Sequence, residues 1–255
     1  MDLDTLDTQY KLFHKYWYSG SENDNPKDFQ TADQLRGKII PQIESLLDAD
    51  NRVGLSDIYA NFAEFLFEYL ICLNKLGKDP SNTQYNLRAM AEKAIELNPD
   101  SFPGHYFLAV YHSWNLKRAH AGDIPAIHKG EDAATSIVGT AFNLLFKGVT
   151  LGATATAAGI SKSSFTTSVQ NLIAAYRKSL QPNPVEARYY IKITSRMFEM
   201  ADYCEDVNNR VWRDIYLAIR EFDPNRLDYS ELEDEIVPEA KEAVMEFKIV
   251  ADSKL

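Results

Sequence analysis

Four of the five histidines in this 255-residue chain fall within one short segment, residues 105–128. His105 and His112 are seven residues apart and so lie two turns apart on one helix face, whereas zinc ligands on a helix usually stand closer, as in H-x3-H. The spacing favours helix-packing and loop histidines. A metal or small-ligand site in this segment is the alternative. The four are His105, His112, His120 and His128.

Sequence patterns that would support covalent catalysis are missing. The chain has no G-x-S-x-G motif, which in hydrolases places an activated serine on a strand-to-helix turn. Cys72 and Cys204 are each flanked by apolar or aromatic residues, which is typical of buried thiols. We therefore predict a non-enzymatic protein that uses no cofactor and no metal.

Basic residues recur on one predicted helix, in the segment EARYYIKITSRMF. Arg188, Lys192 and Arg196 are spaced by four residues and share one face, and Tyr189 lies beside them. On a chain of net charge −10, this stripe favours an acidic or amphipathic peptide as partner. Pairing with the protein's own acidic tail, or plain solvation, is the alternative. The net charge argues against nucleic acid, whose binding needs a basic footprint.

A low-charge segment rich in Gly, Ala and Thr occupies residues 133–161, where Lys147 is the one formal charge. Lys147 divides the segment into halves of fourteen residues. Each half is shorter than the roughly 20 apolar residues that a membrane span takes. Gly152 and Gly159 are too far apart for a phosphate-binding loop. We predict a helical packing insert, with docking on a membrane surface or a partner as the alternative.

Helical periodicity dominates the rest of the sequence, and strand-like alternation is nearly absent. We predict one all-α domain over residues 1–255, with roughly ten to twelve helices. Thr31 predicts a helix start, Pro41 a kink or restart, and Gly77 the end of a long helix capped near Ser56. The N-terminus has no apolar signal core, which predicts a cytoplasmic location.

Three segments share one helix-end pattern, in which an apolar or aromatic residue is followed eight residues later by Pro99, Pro184 or Pro224. Another helical pattern follows each proline. The best of the three lies in residues 85–118 and contains AEKAIELNPDSFPGHYFLAVYH, with Leu108-Ala109 where the repeat has Leu-Gly. On these residues the chain resembles the tetratricopeptide-type helical repeats.

This resemblance implies stacked antiparallel helix hairpins, an α-solenoid whose concave groove holds other polypeptides. The protein would then be an adaptor or assembly scaffold. The groove would be lined by Tyr106, Val110 and Trp114 in the best repeat and by the basic stripe in the second. Residues 223–255 contain ten acidic and four basic residues, and we expect them to form an acidic C-terminal cap on the stack.

Overall fold

The computed structural model describes residues 3–23, 25–48, 55–120 and 162–255. In these ranges the protein is all-α, as predicted, and its only strands are two of two residues each. The segment 133–161 lies outside the described residues. The helices are α1 (Leu3–Asn23), α2 (Pro26–Asp48), α3 (Leu55–Lys75), α4 (Ser81–Leu97), α5 (Phe102–His120), α6 (Lys162–Ser179), α7 (Ala187–Asp206), α8 (Trp212–Glu221) and α9 (Val237–Lys254).

The described residues group into two compact units, and the division falls within α5, between Tyr111 and His112. The first unit contains α1 to α4 and the start of α5. The second contains the end of α5 and everything from α6 onward. The single domain expected from the sequence remains a prediction.

The core of the first unit is built around α3, whose residues from Phe62 to Leu73 are buried apart from Glu64. This helix packs against α2 on one side and α4 on the other. Aromatic rings fill the space next to α1, where the centroids of Phe13 and Phe65 are 4.8 Å apart. Consecutive helices therefore pack as hairpins, which confirms the coarse form of the repeat prediction.

The helix start expected at Thr31 and the restart expected at Pro41, both in α2, are wrong. The helix begins at Pro26, ahead of Thr31, because Asn25 caps it: the backbone N–H of Lys27 donates to Asn25 Oδ1 at 3.1 Å. It also continues through Pro41. Ile39 and Ile43 are buried on either side of that exposed proline, and their packing offsets the hydrogen bond that proline removes.

The turns of the first unit depend on two glycines. Gly77 follows α3 with φ +66°, a left-handed conformation that favours glycine, so the predicted helix end is correct. Gly104 lies in the first turn of α5, where a Cβ would stand 3.0 Å from Ile95 Cγ1 and 3.3 Å from Ala94 Cβ. The α4–α5 hairpin thus closes through direct contact near its turn.

In the second unit, α7 packs against both α8 and α9. A parallel two-residue ladder pairs Val185 with Leu227 and Glu186 with Asp228. The helix expected directly after Pro224 begins only at Val237, because a 3-10 turn, the second strand and a turn-rich segment occupy the intervening residues. The predicted cap is thus a single helix docked on α7 and α8.

Each unit contains one of the two cysteines, and both thiols are fully buried. Cys72 Sγ donates to the Phe29 carbonyl at 3.2 Å, and burial raises the pKa of this thiol to about 12. Burial also raises the pKa of Cys204. Both cysteines are therefore protonated core side chains at neutral pH.

None of the helices in the described ranges is both long enough and apolar enough to cross a bilayer.

Candidate binding surface

The predicted basic stripe is largely exposed at the start of α7. Arg188 and Lys192 are exposed, and Tyr189 exposes 38% of its surface. We refer to these three residues as the basic surface. Within the described residues, neither Arg188 nor Lys192 makes an ion pair. Both cations therefore face solvent.

The fourth predicted residue of the stripe, Arg196, differs from the others. It is only half-exposed, and its Nη1 donates to Glu199 Oε2 of the same helix at 3.0 Å. Its charge is thus partly used one turn further along α7. We therefore leave Arg196 out of the basic surface.

The opposite side of α7 holds the helix in place. Tyr190 and Phe198 are buried there. The Tyr190 ring stacks on Phe222 with centroids 4.4 Å apart, and Phe198 stacks on Phe247 of α9 at 5.2 Å. Because α7 is amphipathic with an aromatic buried face, it presents its first two turns outward on a rigid support.

The segment before α7 is anchored by a residue far away in the sequence. Arg226 Nη2 donates to the carbonyls of Leu180 and Pro182, each at 2.7 Å, and to that of Gln181 at 3.1 Å. Its guanidinium also lies 5.3 Å from the centre of the Phe222 ring. Sequence reasoning missed Arg226 because a lone arginine after a proline gives no sign that it will bind carbonyls more than forty residues away.

The charges along α7 run against the dipole of the helix. Arg188 lies in the first turn, which has no acidic residue, and the last turn has no basic residue. Glu205 and Asp206 lie instead at the carboxyl end, bound by Lys254 and Lys117 respectively. A helix is normally stabilised by acids at its start and bases at its end. Helix α7 departs from this rule in its first and last turns, although its N-cap residue, Glu186, is acidic.

Asp202 is the most perturbed carboxyl group on α7. Burial raises its pKa to about 6, and repulsion from Glu205, Asp206 and Glu199 adds to the shift, while Lys254 opposes it. The acidic half of α7 is thus crowded enough to retain a proton in mildly acidic solution.

A cleft of about 480 Å³ opens between the end of α6 and α8 in the second unit. Arg177 and Glu221 form one edge, with the arginine Nε and Nη2 donating to the carboxylate at 3.0 and 3.2 Å. This ion pair is exposed at the edge of the cleft. Leu180, Ala218 and Phe222 supply apolar lining, and the remaining lining residues are Tyr176, Gln181, Asn183 and Arg226.

The apolar part of the predicted groove is not exposed. Tyr106, Val110 and Trp114 are only 2%, 1% and 5% exposed. Tyr106 contributes to an aromatic cluster, with ring centroids 6.4 Å from Phe102 and 5.1 Å from Phe107. These residues pack in the core, because apolar side chains on a helix gain most free energy where water is excluded. Any role in partner binding is untested.

The histidine segment is described only in part, since His128 lies outside the described residues. His105 is buried, and its Nε2 donates to the Pro99 carbonyl at 2.9 Å. This contact closes the α4–α5 turn. Across the ranges that the structure describes, no three His, Cys, Asp or Glu side chains come close enough together to hold a metal ion.

Comparison of the chain with protein-family models, with curated proteins and with solved structures gives no match.

Proposed function

We propose that this protein is a non-enzymatic interaction module whose helix hairpins, similar to tetratricopeptide-type pairs, hold an acidic polypeptide against the basic surface of α7. The observation that supports this most directly is that Arg188 and Lys192 are both exposed on one helix face and make no ion pair within the described residues. The position of Arg188 in the first turn of α7 is a second argument.

The position of Arg188 has an energetic consequence. A cation at a helix start is unfavourable by roughly 0.3–1 kcal/mol, and Arg188 has no acidic partner among the described residues that would offset the effect. Binding of an external acidic partner would offset this unfavourable free energy by neutralising the charge of Arg188. An acidic segment laid across the start of α7 would be such a partner.

The alternative of intramolecular pairing with the acidic tail receives no support in the described residues. The tail is fastened elsewhere. Lys254 binds Glu205 at 2.8 Å, and Asp252 binds Arg220 at 3.1 Å. Neither contact involves Arg188 or Lys192.

The proposed partner is an acidic peptide or helix that lies along the first two turns of α7. Arg188 would form bidentate hydrogen bonds to a carboxylate, and Lys192 would add a point charge one turn further on. The half-exposed ring of Tyr189 would supply apolar contact between them. The chain's net charge of −10 would keep acidic partners away from most of its surface.

Charge reversal at the basic surface tests this proposal. The double variant Arg188→Glu, Lys192→Glu of the full chain is titrated with a fluorescein-labelled acidic peptide, and anisotropy is measured. We expect binding to weaken about tenfold or more, because two attractions become repulsions. The wild-type affinity should also fall as salt is raised.

The matched control is Arg210→Glu with Arg213→Glu, two exposed arginines of which the first precedes α8 and the second lies in its first turn. This variant has the same net charge but leaves the basic surface intact, and it should bind within about twofold of the wild type. Equal losses in both double variants would mean that only net charge matters. Wild-type binding by the charge-reversed α7 variant would contradict the proposal outright.

A further inference from the structure

Helix α9 has apolar residues on two opposite sides. Its inner side is buried against the rest of the second unit through Ala240, Val244, Phe247 and Ala251. Its outer side exposes Met245 by 66% and Ile249 by 65%, and these two residues are four apart and therefore adjacent on the helix surface. The cap is thus not backed by an exclusively polar face, as a terminal helix would be expected to be.

The exposed apolar pair continues a regular row along the helix. Pro238, Glu242, Met245 and Ile249 follow one another at intervals of four, three and four residues and are all exposed. This spacing is that of a seam into which a second helix packs. We call this row, with the acidic residues beside it, the outer face of α9.

The charges beside the row are mainly negative. Glu239 and Glu246 are exposed along one edge, Glu242 lies in the row itself, and the turn before α9 adds further exposed acids at Glu231, Glu233, Asp234 and Glu235. On the other edge, Asp252 is bound by Arg220, Lys241 lies 5.3 Å from the Tyr229 ring and Lys248 is half-buried. The field at the outer face is therefore acidic.

We propose that the outer face of α9 binds a basic amphipathic helix of a partner protein. The exposed apolar pair, Met245 and Ile249, would take the partner's leucine- or phenylalanine-type anchors, and the flexible Met245 would adapt to their shape. The acidic edge would pair with lysine or arginine residues that flank those anchors. A second copy of this chain would bring the same acidic edge and a net charge of −10, so repulsion disfavours it as the occupant.

This surface is distinct from the basic surface of α7 and selects partners of the opposite charge. The inference therefore does not depend on the function proposed above. A chain with both surfaces would join an acidic partner to a basic one, as a scaffold does.

The test uses the full chain and a labelled 18-residue helical peptide, with leucine at i, i+3, i+4 and i+7 and lysine on the remaining face. We expect saturable binding by the wild type. Met245→Gln with Ile249→Gln should weaken it about tenfold or more, because both side chains lose apolar burial. Glu242→Gln with Glu246→Gln should weaken it severalfold and reduce its salt dependence.

Matched controls separate this surface from general attraction to an acidic protein. Leu217→Gln removes an exposed apolar residue of α8, and Asp57→Asn with Asp214→Asn removes two exposed acids elsewhere. Both variants should bind as the wild type does. Asp57 and Asp214 lie in the first turns of α3 and α8, where acids stabilise a helix, so their removal should cost only a few tenths of a kcal/mol. Circular dichroism melts check that every variant remains folded at the temperature of the binding assay.

Several outcomes would overturn the assignment. One is wild-type binding by the Met245→Gln, Ile249→Gln variant, and another is equal binding of a glutamate-substituted version of the peptide. Absence of binding by the wild type would have the same meaning. A wild-type dimer in sedimentation that these substitutions convert to monomer would identify a second copy as the occupant. Loss of acidic-peptide binding only in the α7 variant would concern the proposed function and not this face.

Discussion

The α4–α5 and α6–α7 hairpins begin from the same helix–proline–helix signature but are closed in different ways. In the first, the contacts are local: Gly104 packs on Ala94, and His105 reaches back to the Pro99 carbonyl. In the second, Arg226 and the strand after it hold the connection from more than forty residues away. A shared signature therefore fixes the hairpin, while its surroundings decide how it is stabilised.

The two hairpins also differ in what their second helices expose. The predicted binding residues of α5 are buried, whereas most of those on α7 lie at the surface. The side chains account for this difference. Burial of aromatic and aliphatic groups is favourable, whereas burial of a guanidinium or ammonium group is costly unless the charge is paired. A repeat resemblance assigns positions to a groove, but the chemistry at those positions decides whether they are accessible.

The largest effect that would test this contrast is expected for Tyr106→Ala. Removing a buried aromatic ring should lower the free energy of unfolding by about 3–5 kcal/mol. Tyr189→Ala at the start of α7 should change it by less than about 0.5 kcal/mol. Urea titrations of both variants measure the two values, and similar losses would break the distinction between a core helix face and a surface one.

The local closure of the first hairpin is tested by Gly104→Val. The new side chain would collide with Ile95 and Ala94, and overpacking of this kind should lower stability by about 2 kcal/mol. Gly37→Ala in α2 is the control, because a Cβ there meets nothing within 4 Å. That substitution should stabilise the helix by about 0.5–1 kcal/mol. Equal thermal shifts in the two variants would contradict close packing at Gly104.

The remote closure of the second hairpin is tested by Arg226→Met. Three carbonyls would lose their charged donor, and we expect a loss of about 1.5–2 kcal/mol in chemical denaturation. Arg210→Met, an exposed arginine between α7 and α8, should leave stability almost unchanged. If the Arg226 variant is as stable as this control, the long-range anchor contributes nothing.

The smallest expected effect concerns the acidic half of α7. The folded-state pKa of Asp202, about 6, lies above its ordinary value of 3.8. The folded state therefore binds the extra proton, and stability falls as pH rises between these two values. The substitution Asp202→Asn removes this pH-dependent loss of folding stability. We expect it to stabilise the protein by about 1 kcal/mol at pH 8, after allowance for solvent screening, and by less at pH 5.

Melting temperatures of the wild type and this variant at the two pH values measure the effect, with the exposed Asp214→Asn as control. A gain for Asp202→Asn that is the same at pH 5 and pH 8 would show that the carboxyl group does not titrate in this interval.

Much of the fold could be predicted from the sequence because its signals are local. Helical periodicity, the glycine at position 77 and the prolines at 99 and 184 each act within a few residues of the feature that they determine. The restart expected at Pro41 and the start expected at Thr31 were wrong because tertiary packing and the Asn25 cap outweighed the propensities of these two residues. A local propensity rule fails where burial of the neighbouring side chains stabilises the fold by more free energy than the local propensity costs.

The candidate site could be predicted only in part. The four-residue spacing of Arg188 and Lys192 is visible in the sequence, and both lie at the surface as a shared helix face requires. The sequence did not predict two features of the site. Arg196 forms an ion pair within its own helix, and Tyr106, Val110 and Trp114 are buried in the core. A helix with apolar residues on several sides gives no indication in sequence of which side meets solvent.

The two buried thiols give the molecule a pair of internal reporters. Cys72 and Cys204 lie in different compact units, and neither thiol is accessible to a reagent in the closed state. Alkylation can therefore occur only when the surrounding helices separate, so its rate measures that opening directly. Because the chain has one thiol in each unit, a mass spectrum of the labelled peptides would time the opening of the two units separately, without any substitution in the protein.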